Sequence, residues 1–291
     1  MSASDKDLKD LIDCWQRSPQ PTVKVTSYFP AYAQLFAHLR GTPCVFIEIG
    51  ILDGGSLFMW REWLGPQARI IGVDLNPEAT KWRDAGFEIH IGDQGDPRFW
   101  RKLLAEIGPF DVLLDDGGHQ SFQQIVTTNE ALRAARKPCL VVIEDTGTSF
   151  MNDFAAHGKN SFLRFAKATT DLLAGRLFAL EPGRFPERYN TRAVEDFRSV
   201  FSVQFFTGIV VFQVDPERCV TPEVQRNREN TTASDFRYRG STSARVSWPS
   251  VLASREVTVQ GEIPSAFVGR VLYAARNPKA AVAKVRRLLS R

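Results

Sequence analysis

FDVLLDDGGH (110–119) and CLVVIED (139–145) decide the fold of this chain. Each is a short run of Val, Ile, Leu and Phe without polar alternation, the pattern of a strand buried on both faces, and each runs straight into carboxylates. A strand of that kind belongs to a parallel sheet covered by helices. Asp115, Asp116, Glu144, Asp145 and His119 are therefore expected together at one edge of that sheet. Acid groups gathered there need a cation or a reaction to serve.

Outward from these two runs the same pattern repeats. CVFIEIG (44–50), RIIGVDL (69–75) and FEIHI (87–91) are further apolar strands, and amphipathic stretches lie between the five, among them GGSLFMWREWLG, DPRFWRKLLAEIG and SFQQIVTTNEALRAARK. Such alternation predicts βαβ units and a parallel sheet with helices on both faces. SVQFF (202–206) and IVVFQVD (209–215) are separated only by Thr207 and Gly208, a hairpin signal, so the sheet is expected to end in an antiparallel pair and to hold seven strands.

The remaining segments are appended to this core. Residues 1–43 read as helices and turns, with Tyr32, Leu35, Phe36 and Leu39 at helical spacing; Tyr28 and Phe29 either cover a ligand as a lid or pack on the domain. Residues 44–215 form the expected catalytic domain. Residues 216–291 read as a polar excursion and then basic helices, with seven Lys or Arg and no acid in 265–291 and Pro278 dividing them. That basic face fits solvent, an oligomer contact, a membrane surface or an anionic glycan.

Composition excludes several classes. A net charge of +4 over 291 residues is too mild to argue for nucleic acid. Cys14, Cys44, Cys139 and Cys219 are widely spaced, without the patterns of a zinc site or a disulfide frame, and Cys44 and Cys139 read as buried thiols of a reducing compartment. No apolar run reaches membrane-span length, so a cytoplasmic location is expected.

The turn after the first strand, EIGILDGGS (48–56), carries Gly50, Gly54 and Gly55, which would let backbone pass close to a ligand as a helix begins. The dinucleotide pattern GxGxxG is not met, since Leu52 stands where its second glycine would be. Asp74 closes the next strand, where a carboxylate can accept from both hydroxyls of a ribose, and Asp93, with Gln94 beside it, closes the third. Single acids at such places are often caps or turn formers. Three successive strands ending in acid or glycine are harder to explain that way.

EIGILDGGS, GVDLNP, IGDQGD, DDGGHQ and IEDTGTSF, in that order, resemble the class I S-adenosylmethionine-dependent methyltransferases, a Rossmann-like fold. Within it they are most similar to the metal-dependent sugar O-methyltransferases of antibiotic biosynthesis, the mycinamicin and macrocin type, over roughly residues 25–215. The resemblance implies that the segment around Glu48 and Gly50 lies against the methionine part of S-adenosylmethionine, that Gly54 and Ser56 also bind the cofactor, that Asp74 holds the ribose, and that Asp93 and Gln94 approach the adenine. It also implies Asp116, Glu144 and Asp145 as Mg²⁺ ligands and His119 as general base. Asp115 either contacts the cofactor or only supports the loop. A small-molecule or glycan acceptor and a homo-oligomer are implied as partners.

The residue types suit that chemistry. A sugar hydroxyl is a poor nucleophile, an all-oxygen ligand set favours a hard cation, and a cation held by two vicinal hydroxyls would orient them and lower their pKa. His119 accepts a proton near neutral pH. Adjacent strand residues point to opposite faces, so Glu144 and Asp145 share one ion only if the chain leaves the strand between them. TGTSFMNDFAAHGKN (146–160) is the expected acceptor loop, while Arg188, Tyr189 and Arg192 either border the acceptor or form a surface turn. His38, His90 and His157 read as structural, and Trp60 and Trp63 as core. A catechol-like diol as acceptor, or a noncatalytic binding module of the same fold, are the alternative readings.

Overall fold

The computed structural model describes residues 3–154, 161–177, 197–225 and 227. The chain divides into two compact units after Val224, and the unit Met1–Val224 is the one described below. His157, the end of the expected acceptor loop, Arg188, Tyr189, Arg192 and the basic stretch 265–291 lie outside the described residues.

Two helices, α1 (Ala3–Gln16) and α2 (Tyr28–Phe36), precede the sheet. Then follow β1 (Val45–Ile49), α3 (Gly55–Leu64), β2 (Arg69–Asp74), a 3-10 segment Pro77–Ala85, β3 (Glu88–Ile91), α4 (Pro97–Ile107), β4 (Val112–Asp115), α5 (Ser121–Ala134) and β5 (Cys139–Ile143). A 3-10 turn Thr146–Phe150, α6 (Phe162–Gly175), β6 (Val200–Phe206) and β7 (Ile209–Val214) complete the described elements. The seven strands lie in the order β3-β2-β1-β4-β5-β7-β6. Neighbours among β1 to β5 are parallel, and β7 runs antiparallel to both β5 and β6. This is the expected Rossmann-like α/β sheet with a terminal antiparallel hairpin, closed at Thr207 and Gly208, whose φ is 76°.

Strand alternation sorts the core into two layers. Phe46, Ile70, Val112, Leu114 and Val142 point to the layer holding Leu11, Tyr32, Phe36, Leu57 and Trp60 from α1, α2 and α3. Ile47, Ile71, Leu113, Val141 and Ile143 point the other way, against Trp100, Leu104, Leu132 and Phe162 from α4, α5 and α6. Both faces are dry, which is why these strands read as unbroken apolar runs. Truncating a fully buried residue such as Leu113 to Ala costs about 2–5 kcal/mol.

Local chemistry sets the helix ends that matter for the edge. Asp96 accepts from the Arg98 amide at 2.8 Å, Pro97 opens α4, and Gly108 at φ 79° ends it. The chain from α1 to α2, residues 17–27, is a strap laid over the turn before α3. The Ser18 hydroxyl donates to the Gly55 carbonyl at 2.8 Å, and a Cβ on Gly55 would stand 2.4 Å from the carbonyl oxygens of Gln20 and Pro21. Gly55 is thus needed for the strap to pass.

Candidate active site

Strands β1, β4 and β5 are adjacent, and Ile49, Asp115 and Ile143 pair across them. One step further, Asp116 and Glu144 fall on the face that also carries Glu48, beneath α2 and α3. Three carboxylates from three strands therefore meet on one side, and a fourth group joins them: the Lys24 ammonium lies 2.6 Å from Asp116 Oδ2, 3.3 Å from both Glu144 oxygens and 3.4 Å from Glu48 Oε1. The Lys24 side chain is 1% exposed. Ser56 donates to Glu48 at 2.7 Å, and the Tyr32 hydroxyl donates to Glu144.

Burial governs the ionisation of this cluster. It pushes the Glu144 carboxyl well above the usual carboxylate range, with Lys24 pulling the other way, and it raises Glu48 for the same reason. Burial alone would lower the Lys24 ammonium, but Glu144, Asp116 and Glu48 outweigh it and hold the group above its ordinary value. Tyr32 is raised by burial and then by Glu144, so it stays a donor.

Asp115, one residue back, points to the opposite face. It accepts from Gln94 Nε2 at 3.0 and 3.1 Å and from the Gly117 amide at 3.1 Å, while Gln94 Oε1 accepts from the Gly118 amide at 2.7 Å. Asp115 and Gln94 together brace the turn that carries His119. Burial raises the Asp115 carboxyl.

Between these two braced layers, beyond the carboxyl ends of β1, β2 and β4, lies a cavity of about 410 Å³. Gly50, Asp74, Asp93, Gln94, Asp116, His119 and Asp145 all reach its wall. Asp74 accepts from the Ile51 amide at 3.0 Å and the Asn76 amide at 2.8 Å, which fixes its carboxylate at the strand end with lone pairs to spare. Asp93 accepts from the Gly95 amide at 2.7 Å. Among the described residues the non-glycine residues with positive φ are Leu52 (40°), His119 (55°) and Asp145 (51°), and all three stand on this wall. Strain held at a cavity wall in this way is characteristic of functional sites.

The left-handed backbone at Asp145 answers the alternation problem. β5 ends at Ile143, Glu144 keeps its strand direction toward Lys24, and Asp145 swings into the cavity. Its Oδ1 accepts from Tyr28 at 2.5 Å, and its Oδ2 is 3.5 Å from His119 Nε2. Burial, then Asp145, raises the Tyr28 phenol. His119 Nδ1 is buried without a hydrogen-bond partner, and its carbonyl accepts from the Thr148 hydroxyl at 3.0 Å.

Asp116, His119 and Asp145 each offer one ligand atom, all within 4.8 Å of one another. Two carboxylates and an imidazole at that spacing suit a divalent cation, and the oxygen majority favours a hard one such as Mg²⁺. Glu144 is the exception within the expected ligand set, because its oxygens are engaged by Lys24 and Tyr32 behind the wall.

Of the residues expected at a cofactor, Gly50, Asp74, Asp93 and Gln94 line the cavity, and Glu48, Gly54, Ser56 and Asp115 do not. A Cβ on Gly54 would meet the Trp82 ring at 2.5 Å, so that glycine admits an indole. Trp60 and Trp63 are core, as expected, and His90 bonds Glu88 at 2.9 Å. Lys24 was not singled out by the sequence, and Tyr32 was expected only to pack. Their one signal is position: they flank the aromatic start of α2, which supplied the lid residues Tyr28 and Phe29.

Comparison with known proteins bears on this geometry. No protein-family model matches the chain. It is similar over 71% of its length, with a TM-score of 0.61 and 21% identity, to the MycE methyltransferase of the mycinamycin biosynthetic pathway in complex with Mg, SAH and mycinamycin VI, of which 53% is covered. The fold is that of the class I S-adenosylmethionine-dependent methyltransferases. Curated relatives of this methyltransferase fold include the 8-demethyl-8-(2-methoxy-alpha-L-rhamnosyl)-tetracenomycin-C 3'-O-methyltransferase of Streptomyces olivaceus, 38% identical over 132 residues, covering 42% of this chain and 33% of that one. The 8-demethyl-8-alpha-L-rhamnosyl tetracenomycin-C 2'-O-methyltransferase of the same organism is 26% identical over 215 residues, covering 72% and 55%. The chain thus spans about a third to a half of the length of these relatives. Among the described residues no helix is long and apolar enough to cross a membrane.

Proposed function

We propose that this methyltransferase-fold chain transfers the methyl group of S-adenosylmethionine to a sugar hydroxyl of a glycosylated natural product, with Mg²⁺ as the metal and His119 as general base. The observation that carries the reading is the convergence of Asp116, His119 and Asp145 on one wall of a cavity that Asp74 and Asp93 also line. The relatives named above are sugar O-methyltransferases, which supports the same acceptor class.

In this reading Asp74 accepts from the ribose hydroxyls, and Asp93 and the backbone around Gly92 border the adenine. Gly50, backed by the Asp116 carbonyl, lets the cofactor lie against the end of β1. Asp116 and Asp145 are the carboxylates that would hold the cation from the cavity wall. When bound, the cation would orient two neighbouring hydroxyls and lower the pKa of one. His119 takes the proton from that hydroxyl at Nε2, the nitrogen turned toward Asp145, and the buried Nδ1 is shielded from solvent. Asp145, fixed by Tyr28, orients the ring and favours the imidazolium that forms. Phe150 and Met151, each 54% exposed just beyond Asp145, offer an apolar surface to the acceptor. Most of the rate gain comes from holding the two reactants in line.

Calorimetry with S-adenosylhomocysteine, with and without EDTA, followed by methyl-transfer assays on glycosides and catechols with wild type and His119→Ala, tests the proposal. Binding together with metal-dependent, His119-dependent methylation of a glycoside is the expected result. Turnover on catechols alone would move the acceptor class, binding without turnover would favour a noncatalytic module, and no binding would remove the methyltransferase reading.

A further inference from the structure

We propose that Lys24 is a positioning residue of the metal site: its ammonium, braced by Glu144 behind the cavity wall, holds Asp116 in the arrangement a divalent ion requires and makes the strap of residues 17–27 a part of that site. The inference rests on the proposed assignment of Asp116 and Asp145 as the carboxylates that would hold the cation, and it adds to them a residue with no ligand role of its own.

The geometry is specific. Lys24 reaches three carboxylates that are 24, 92 and 120 residues away in sequence, from three different strands, with its side chain 1% exposed. A surface lysine that happened to lie near an acidic patch would not be so enclosed. Asp116 gives Oδ2 to Lys24 and keeps a second oxygen for the cavity wall that it lines. The acids at this edge are all gripped from residues 24–32, the end of the strap and the start of α2: Asp116 and Glu144 by Lys24, Glu144 also by Tyr32, and Asp145 by Tyr28.

The segment is itself anchored. Ser18 bonds Gly55, the strap carbonyls fill the space that a Cβ on Gly55 would need, and Val23, beside Lys24, stands on the cavity wall. Lys24 is therefore delivered to the acids by a fixed backbone. Glu48, Asp116, Glu144 and Asp145 outnumber the one ammonium, so the site keeps oxygen donors for a divalent ion while its ligands stay ordered. Side chains that orient metal ligands in this way are worth a factor of ten or more in affinity.

The test separates geometry from charge. Lys24→Met/Glu48→Gln removes one positive and one negative group together, and it leaves Asp116, Glu144 and Asp145 in place because Glu48 is not on the cavity wall. Mn²⁺ is the probe, titrated by electron paramagnetic resonance, with S-adenosylhomocysteine calorimetry and thermal melting in parallel. Expected are a native fold, S-adenosylhomocysteine affinity within about threefold of wild type, and Mn²⁺ affinity weakened about tenfold or more. A smaller change in Mn²⁺ affinity, or an equal loss of S-adenosylhomocysteine affinity, overturns the proposal, the second because Lys24 would then be a general support of the fold. If the double variant does not fold, wild-type protein decides through reductive methylation read by mass spectrometry. Lys24 protected equally with and without Mg²⁺ supports a holder, and labelling of Lys24 that appears on adding Mg²⁺ overturns it in favour of displacement. Wild type that binds Mn²⁺ but not S-adenosylhomocysteine would remove the methyltransferase reading and leave the role of Lys24 to the variant.

Discussion

Gly50→Ala is expected to damage fold stability and metal binding together, because one glycine ties the first strand to the acid-bearing turn. Gly50 has φ +80°, and a Cβ there would lie 2.1 Å from the Asp116 carbonyl oxygen and 2.7 Å from both the Asp116 carbonyl carbon and Gly117 Cα. Left-handed backbone costs an alanine about 1–2 kcal/mol. The overlap is with backbone, which no rotamer change relieves, and forced overpacking adds about 1–3 kcal/mol. The two give a loss of roughly 2–5 kcal/mol, which for a unit of this size lowers Tm by roughly 4–20 °C. Gly41→Ala is the control: its φ is +72° but nothing lies within 4 Å of its Cβ, so only the backbone cost applies. Melting curves of both variants, with Mn²⁺ titrations of the folded protein, give the comparison. Gly50→Ala should melt several degrees below Gly41→Ala and bind Mn²⁺ more weakly, since Asp116 must move. Equal melting temperatures with unchanged Mn²⁺ affinity would refute the close approach as the reason for glycine at position 50.

Four further outcomes are expected. His119→Ala should slow methyl transfer by about 10²–10⁴ while S-adenosylhomocysteine affinity stays near wild type, and a calorimetric loss of cofactor affinity would count against its role as base. Tyr32→Phe leaves a buried Glu144 oxygen without its hydroxyl donor and should cost about 1–3 kcal/mol in denaturant unfolding, so a variant as stable as wild type would contradict that bond. Burial raises the folded Glu48 pKa above its unfolded value, so the stability linked to its protonation is present at low pH and lost as pH rises through the raised value. The Tm of Glu48→Gln relative to wild type should therefore increase from pH 5 to pH 8, about the range over which a raised carboxyl ionises, and a decrease would reverse the sign. Burial pushes the Cys139 thiol up to about 12 and Cys14 to about 11, and it raises Cys44, so iodoacetamide at about pH 8 should spare all three in native protein, as read by peptide mass spectrometry.

The sheet was legible because its physics is local. Strands buried on both faces must be apolar throughout, so β1, β2, β4 and β5 stood out to within a residue or two, and Thr207-Gly208 announced the hairpin. Helix α6 has no counterpart among the elements expected from sequence, although Phe162, Ala166 and Thr169 are buried at helical spacing. The strand order, with β7 between β5 and β6, depends on contacts across the sheet and has no signature in any one segment.

The site divides along the same line. Asp74, the last residue of β2, and Asp116, the first residue beyond β4, reach the cavity, whereas Asp115, which ends β4, and Glu48, one residue short of the end of β1, do not. Parity gives the rest: Glu48 shares a face with Phe46, Asp116 with Leu114 and Glu144 with Val142, so these three converge beneath α2 while Asp115 falls opposite with Leu113. That much follows from alternation once β1, β4 and β5 are neighbours. The cation among them does not, since Lys24 comes from an irregular strap whose path is set by its close approach and hydrogen bond to Gly55 at the start of α3. For Glu144 and Asp145 to share one ion the chain has to leave the strand between them, and the φ of 51° at Asp145 is where it does so. The two acids in IED thereby part company: one is held inside by Lys24 and Tyr32, and the other is turned out toward His119. Under the proposed metal site, Asp116 and Asp145 keep this arrangement through contacts from Lys24 and Tyr28, which ties the N-terminal segment to the proposed site as well as to the core.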